Sequence, residues 1–339
     1  MHFRISILLF FIAIGACSCK KSGNKPEEKK EADVYVAGHT ATHIMGSLQT
    51  EAAYWKNGSI NLLEKKGIKA TDIAVQGNDV YVSGYRYTND GQQRACYWKN
   101  GICVDLESTA DFPSTTAIAV KGTDVYVLGG DQAAVCWKNG IKTNLIPPLS
   151  TPVSIEDIAI LGDDIYMSGI KITGDIRRAI YIKNGVINEL PSLTNSADPN
   201  LKTYAAGITV SGNDIYIAGD EGINFEDGTV VYWKNGAVVP VAKRGSAKDI
   251  FVNGADIYIV GTKFGPSSLS NNQYATIWKN GAEYSTSAND SQFLNAVLHQ
   301  DDIYTISKGG YEYALYKNGI EQQFSNVPAV PIKVVVISK

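Results

Sequence analysis

The chain has 339 residues, a formal net charge of −3 and a sequence pI of about 5.9. That balance excludes nucleic acid as a partner, because such binding needs a basic face. Charged residues make up 19% of the chain and 32 glycines are spread along it, which favours a turn-rich β protein over a helical one.

Residues 1–16 open with a basic Arg4 and an apolar run from Ile5 to Ile14. The run is shorter than the ~20 residues a membrane-spanning helix needs. It ends in Ile14-Gly15-Ala16-Cys17, and this order of basic, apolar, small and Cys resembles the lipobox of bacterial lipoproteins. The resemblance implies cleavage before Cys17, lipidation of Cys17, and a place in the bacterial envelope held by the acyl chains. Residues 17–32 are charged and carry no large apolar side chain, so they read as a flexible tether. The tether resembles those of surface-exposed lipoproteins in Bacteroidetes. The implied location is the outer membrane, facing the periplasm or the surface, with membrane contact through the lipid anchor only.

From Asp33 to Lys339 one pattern recurs: I-x-V-x-G-x-D-[VI]-Y-[VI]-x-G, a variable loop, then A-x-x-W-K-N-G and a short strand. Its first half places Tyr35, Tyr81, Tyr126, Tyr166, Tyr216, Tyr258 and Tyr304 in equivalent positions. Its second half does the same for Lys56, Lys99, Lys138, Lys183, Lys234, Lys279 and Lys317. A spacing of roughly 45 residues is that of a four-stranded propeller blade. In one unit, Ile73–Val75, Val80–Val82, Cys96–Trp98 and Ile102–Leu106 read as strands a to d. Pro240 in a strand d makes that strand the outer edge. The first repeat starts directly in strand b, and Val334–Lys339 matches a strand a with nothing after it. The expected fold is therefore an all-β, seven-bladed propeller of four-stranded antiparallel blades, closed by a C-terminal strand that completes the first blade. The repeats resemble the HAF-type and NHL-like propeller repeats of bacteria, families that share a fold and a tendency to bind but no one activity.

The a–b and c–d connections are tight, and Asn-Gly in each c–d link is a favoured hairpin turn. The turn aspartates, from Asp33 to Asp302, are expected to bond nearby backbone, and the turn lysines to be solvated. All length variation falls in the b–c and d–a loops on the other face, where binding is expected. The tether joins at the tight-turn face, so the variable face is expected to look away from the membrane. Trp55, Trp98, Trp137, Trp233 and Trp278 share one position that is Ile182 and Tyr316 elsewhere, which fits packing between blades.

Candidate ligand residues follow from this frame. Asp72, Asp157 and Asp249, with Asn295 in the equivalent place, precede the core of strand a and are expected at the mouth of the central channel. Carboxylates there suit acid–base work when their pKa values are driven apart. Tyr85, Arg86, Tyr87, Phe264 and Tyr311 fall in the b–c loops, as do Tyr313, Arg177 and Arg178, and aromatics with Arg suit glycan or protein contact. His39 and His43 read as solvated loop residues rather than a metal pair, and Cys96, Cys103 and Cys136 as buried thiols, with a Cys96–Cys103 bridge across one hairpin as the alternative. No cofactor and no metal are expected, and the chain reads as a monomer. The leading reading is a non-enzymatic envelope scaffold for a glycan or protein. The alternatives are a propeller-type glycan hydrolase or lyase, and a structural envelope component.

Overall fold

The computed structural model describes residues 31–44, 47–64, 67–108, 113–130, 133–147, 151–193, 198, 200–223, 227–265, 272–287, 291–309 and 312–339. Cys17, the segment around it and Tyr311 lie outside these residues. Contacts separate residues 1–30 from residues 31–339, and the sheets of the described residues lie in the second unit.

Seven four-stranded antiparallel sheets form in chain order. Blades two to seven cover residues 67–105, 114–142, 153–189, 202–243, 245–286 and 291–322. Blade one joins Ala32–Ile44, Ser47–Lys56 and Ser59–Leu62 to the C-terminal strand Ala329–Ser338, which pairs antiparallel with Ala32–Thr40. The ring closes as the repeat predicts. The strands run further than their apolar cores suggest. Strand b of blade two is Asp79–Tyr87 and its strand c is Gln93–Lys99. Much of the expected b–c loop is thus paired hairpin rather than loop.

Each sheet is apolar on both faces and must bury both. Seven hydrophobic clusters result, one at each junction between successive blades. Strand c's Trp projects from one blade towards the one before it. Trp98, Trp137 and Trp233 donate their indole N–H to the carbonyls of Glu64, Glu107 and Pro191, just beyond the preceding blade's strand d. All five Trp side chains are at most 2% exposed. The glycine of strand b makes room for this wedge. A Cβ on Gly219 would lie 2.6 Å from Trp233 Cζ3 and run into the Tyr204 carbonyl.

The tight-turn face carries one module seven times. Each c–d turn Asn is left-handed, with φ of 48° to 53°, and the Gly after it is also positive. Asn235 Oδ1 accepts the Ile215 N–H, its Nδ2 donates to Asp214 Oδ1, and Lys234 pairs with Asp214 Oδ2 at 2.8 Å. Lys234 also lies 5.2 Å from the centre of the Tyr216 ring. The expectation of solvated lysines and of aspartates bound to backbone is corrected here. The aspartates accept from the Asn and Lys side chains, and Lys is placed over Tyr, because strand b and the c–d turn lie side by side in every blade. Hydrogen bonds from Lys and Asn hold six of these carboxyls, Asp33 to Asp256, below their usual range.

Asn235→Ala removes two side-chain bonds and forces Ala into a left-handed backbone, which costs about 1–2 kcal/mol by itself. Urea denaturation should show a loss of about 2 kcal/mol, and Asn235→Gly should lose less, since Gly tolerates the backbone but not the missing bonds.

Candidate functional site

Strand a carries an extra residue at one level in every blade from two to seven. The register of blade one shifts at the matching place, opposite Gly38. These bulges turn side chains into the central channel. A cavity of about 150 Å³ there is lined by Thr71, Asp72, Glu156, Asp157, Asp249 and Lys333, among others.

The structure brings Asp72, Asp157 and Asp249 to this one cavity, as their repeat position suggests. It also uses their oxygens. Asp72 accepts the N–H of Ile73 at 2.9 Å and that of Ile118, in the next blade, at 2.8 Å. Asp157 accepts Ile158 N–H at 2.8 Å and Ile208 N–H, in the next blade, at 3.0 Å. Asp249 accepts Ile250 N–H at 2.8 Å and the Asn295 amide at 2.9 Å. Asn295 then accepts Val334 N–H at 2.9 Å, which reaches blade one. Each group bonds the strand a of a following blade, or a residue that does so. Their role is to staple neighbouring blades at the narrow end of the wedge.

Lys333 is the residue that motif reading misses. It lies on the C-terminal strand, and its Nζ is 3.7 Å from Asp249 Oδ2. Burial works against its charge, but Asp249, Asp72 and Asp157 outweigh burial and raise its pKa. Burial raises the Asp72 carboxyl, against the pull of Lys333 and two backbone N–H groups. Asp157 is pushed up to about 7 by burial, with the charge of Asp249 adding and Lys333 opposing. The signal for Lys333 was its alignment with Asp72, Asp157, Asp249 and Asn295 in the repeat. A lone basic residue in that column is the natural counter-charge.

The loop-face candidates do not gather into one site. Arg86 lies on a strand and makes a two-pronged bond to Asp105 of its own blade, at 2.8 and 2.6 Å. Tyr85 and Tyr87 meet edge to face at 6.3 Å, and Tyr87 is 44% exposed. Phe264 ends a strand and donates its N–H to the Arg244 carbonyl. Arg177 and Arg178 sit on a strand and donate to the Gly174 and Leu201 carbonyls. His39 is not a solvated loop residue: it stands on strand b of blade one with Nδ1 buried and unpartnered, and burial, aided by Lys69, lowers its pKa. Cys96, Cys103 and Cys136 are buried thiols, as expected.

A second buried acid outside the channel is Asp220, on strand b of blade five. Burial pushes its pKa up to about 7 against one bond from the Ala247 N–H. For both Asp157 and Asp220 the folded pKa exceeds the unfolded value. Their contribution to stability is complete below pH ~4 and is lost as pH rises through about 7. Lys333→Met should deepen that loss for the channel acids. Thermal melts should show a destabilisation of about 3 kcal/mol at pH 8 and clearly less at pH 5. Asp220→Asn keeps an acceptor without the charge, so its melting temperature should exceed that of the natural chain at pH 8, with the gap closing by pH 5.

No protein-family model and no curated protein matches the chain. Solved structures do. The β-propeller domain of the trilobed protease from Pyrococcus furiosus superposes with a TM-score of 0.53 at 12% identity, over 86% of this chain and 92% of that one. That domain has an open velcro topology, whereas the ring here is closed. An acylaminoacyl peptidase in complex with Z-Gly-Gly-Phe-chloromethyl ketone gives a TM-score of 0.53 at 12% identity, over 89% of this chain and 51% of that one. A puromycin-hydrolysing peptidase of Mycobacterium tuberculosis gives 0.50 at 14%, over 73% and 44%. The chain spans about half the length of these two peptidases. At such identities the likeness is one of fold, and the fold that the chain shares with them is the β-propeller.

Proposed function

We propose that the chain is a non-enzymatic binding scaffold of the bacterial cell envelope, anchored through a lipid on Cys17 and presenting its propeller to a glycan or protein. The observation that supports a non-catalytic role is the use of the channel carboxylates. In Asp72, Asp157 and Asp249 one oxygen accepts the N–H of the next residue of its own strand and the other accepts a bond from the following blade. The cavity they line, at about 150 Å³, is too small for a sugar ring and its neighbours, which favours a scaffold over a glycan hydrolase or lyase. The sequence feature that supports the anchor is the run Ile14-Gly15-Ala16-Cys17 after an apolar segment.

Two measurements test this reading. Expressed in a bacterium fed an alkyne-bearing fatty acid, the natural chain should take up the label and sediment with membranes, and Cys17→Ala should do neither. Purified chain incubated with neutral and acidic polysaccharides should release no reducing or unsaturated ends above background. Steady release that Asp157→Asn abolishes would make the chain an enzyme and overturn the scaffold.

A further inference from the structure

The packing rule of the ring fails at one junction. In blades one to six the residue after the repeat Tyr is Val36, Val82, Val127, Met167, Ile217 or Ile259, each at most 2% exposed. In blade seven it is Thr305. Two residues on, the other blades have Gly, and blade seven has Ser307. The wedge position holds Trp or, once, Ile182, each at most 2% exposed, but blade seven has Tyr316, which stays partly exposed. On the facing blade, Leu63, Leu106 and Leu190 donate their N–H to strand c just after strand d and are buried. Ser287 of blade six makes the matching backbone bond to Ala275. Four places that are apolar or Gly elsewhere thus carry hydroxyls, and strand parity turns all four towards the same gap.

The consequence is measurable. Among the described residues the hydrophobic cluster between blades six and seven is the smallest of the seven, with Tyr258, Val260, Ile277, Ala296 and Ile303 as its buried members. A cleft of about 1160 Å³ opens there, lined by Tyr284, Phe293, Thr305, Ser307 and Tyr316 among others. That exceeds the roughly 300–1,000 Å³ of a site for one small ligand. Thr305 and Ser307 form a floor that is 5% and 8% exposed. Among the described residues neither hydroxyl has a protein partner, so both are left to bond whatever fills the cleft. Tyr284 stands at the rim, 55% exposed, held edge-on by Tyr258 at 5.9 Å.

The lining selects a ligand class. No Lys, Arg or His is among the described residues that line it, and Asp301, Glu312 and Glu321 are. Lys279 and Lys308 stand over the rings of Tyr284 and Tyr313 at 5.9 and 5.6 Å, but the lining itself offers phosphates, sulfates and uronic acids three carboxylates and no direct counter-charge. A lipid chain would leave the floor hydroxyls unpaired, at a cost. Hydroxyls beside the faces of Tyr and Phe match the alternating polar edge and apolar face of a sugar ring.

We propose that the cleft between blades six and seven binds a neutral oligosaccharide of more than one ring, with Ser307 and Thr305 bonding its hydroxyls and Tyr316 and Tyr284 covering its faces. This rests on the scaffold reading and gives it a site and a ligand class.

The test uses the full-length chain on an array of neutral hexose and pentose oligosaccharides, followed by calorimetry with the best hit. The comparison is Thr305→Val with Ser307→Gly and Tyr316→Trp, which restores the residues of the other blades and removes both floor hydroxyls. This variant should melt at a higher temperature than the natural chain and bind the hit at least about tenfold more weakly. Failure of every neutral oligosaccharide to bind, or binding only of a cationic peptide, overturns the proposal. So does equal affinity in this variant, which would leave a scaffold that binds through another face. Binding that the triple variant loses, accompanied by cleavage of the sugar, would instead keep the cleft and remove the scaffold reading.

Discussion

A four-stranded sheet that is apolar on both faces cannot end in water. Each blade therefore needs a neighbour on either side, and a row of such blades has no stable end except its own beginning. Everything else in the protein serves that condition. Gly on strand b and Trp on strand c let adjacent sheets approach at the wide, outer part of each wedge. The tight turns, locked by Asn, Asp, Lys and Tyr, keep the hairpins in one register. The C-terminal strand supplies the missing inner edge of blade one.

The inner part of the wedge is solved by different chemistry. There the blades converge too closely for large side chains, and a bulge in each strand a leaves a backbone N–H towards the preceding blade. Asp72, Asp157 and Asn295 satisfy those donors directly, and Asp249 does so through Asn295. Burying carboxylates in this way is costly unless they are bonded and balanced. Lys333 provides the balance for three of them at once. Perturbed pKa values in a propeller channel often mark a reactive site; here they follow from the need to join blades where there is no room to pack them.

Much of the fold was legible in the sequence because repetition reports register. Seven Tyr and seven Lys count the blades, and the unmatched strand at each end of the repeat array gives the closure. What repetition does not report is the lateral partner. The turn Lys was read as solvated, although it lies against the Tyr and Asp of its own repeat, because pairing between strands b and c is invisible in a list of positions. Arg86 was read as a loop residue for the same reason, and its partner Asp105 stands two strands away. The bulge that sets the channel was hidden because its extra residue is absorbed in d–a loops of variable length. The cleft was hidden differently. Ile182 and Tyr316 both depart from Trp, but Ile182 is enclosed by Ile155, Met167 and Ile180. Only around Tyr316 do Thr305, Ser307 and Ser287 also depart, and that coincidence has meaning once strand parity shows which faces meet.

The closing strand has a consequence in time as well as in space. Tyr35 pairs with Val335, so the first blade draws on residues that lie almost a whole chain apart. Contacts of such separation form late, because the intervening chain must be ordered before they are rewarded. Until then blade one has three strands and an open inner edge from Val34 to Gly38, while blade seven has an apolar face with no neighbour. The unfinished ring is a spring washer with a sticky slit, and its last ten residues decide whether the slit meets its own other side or that of another molecule.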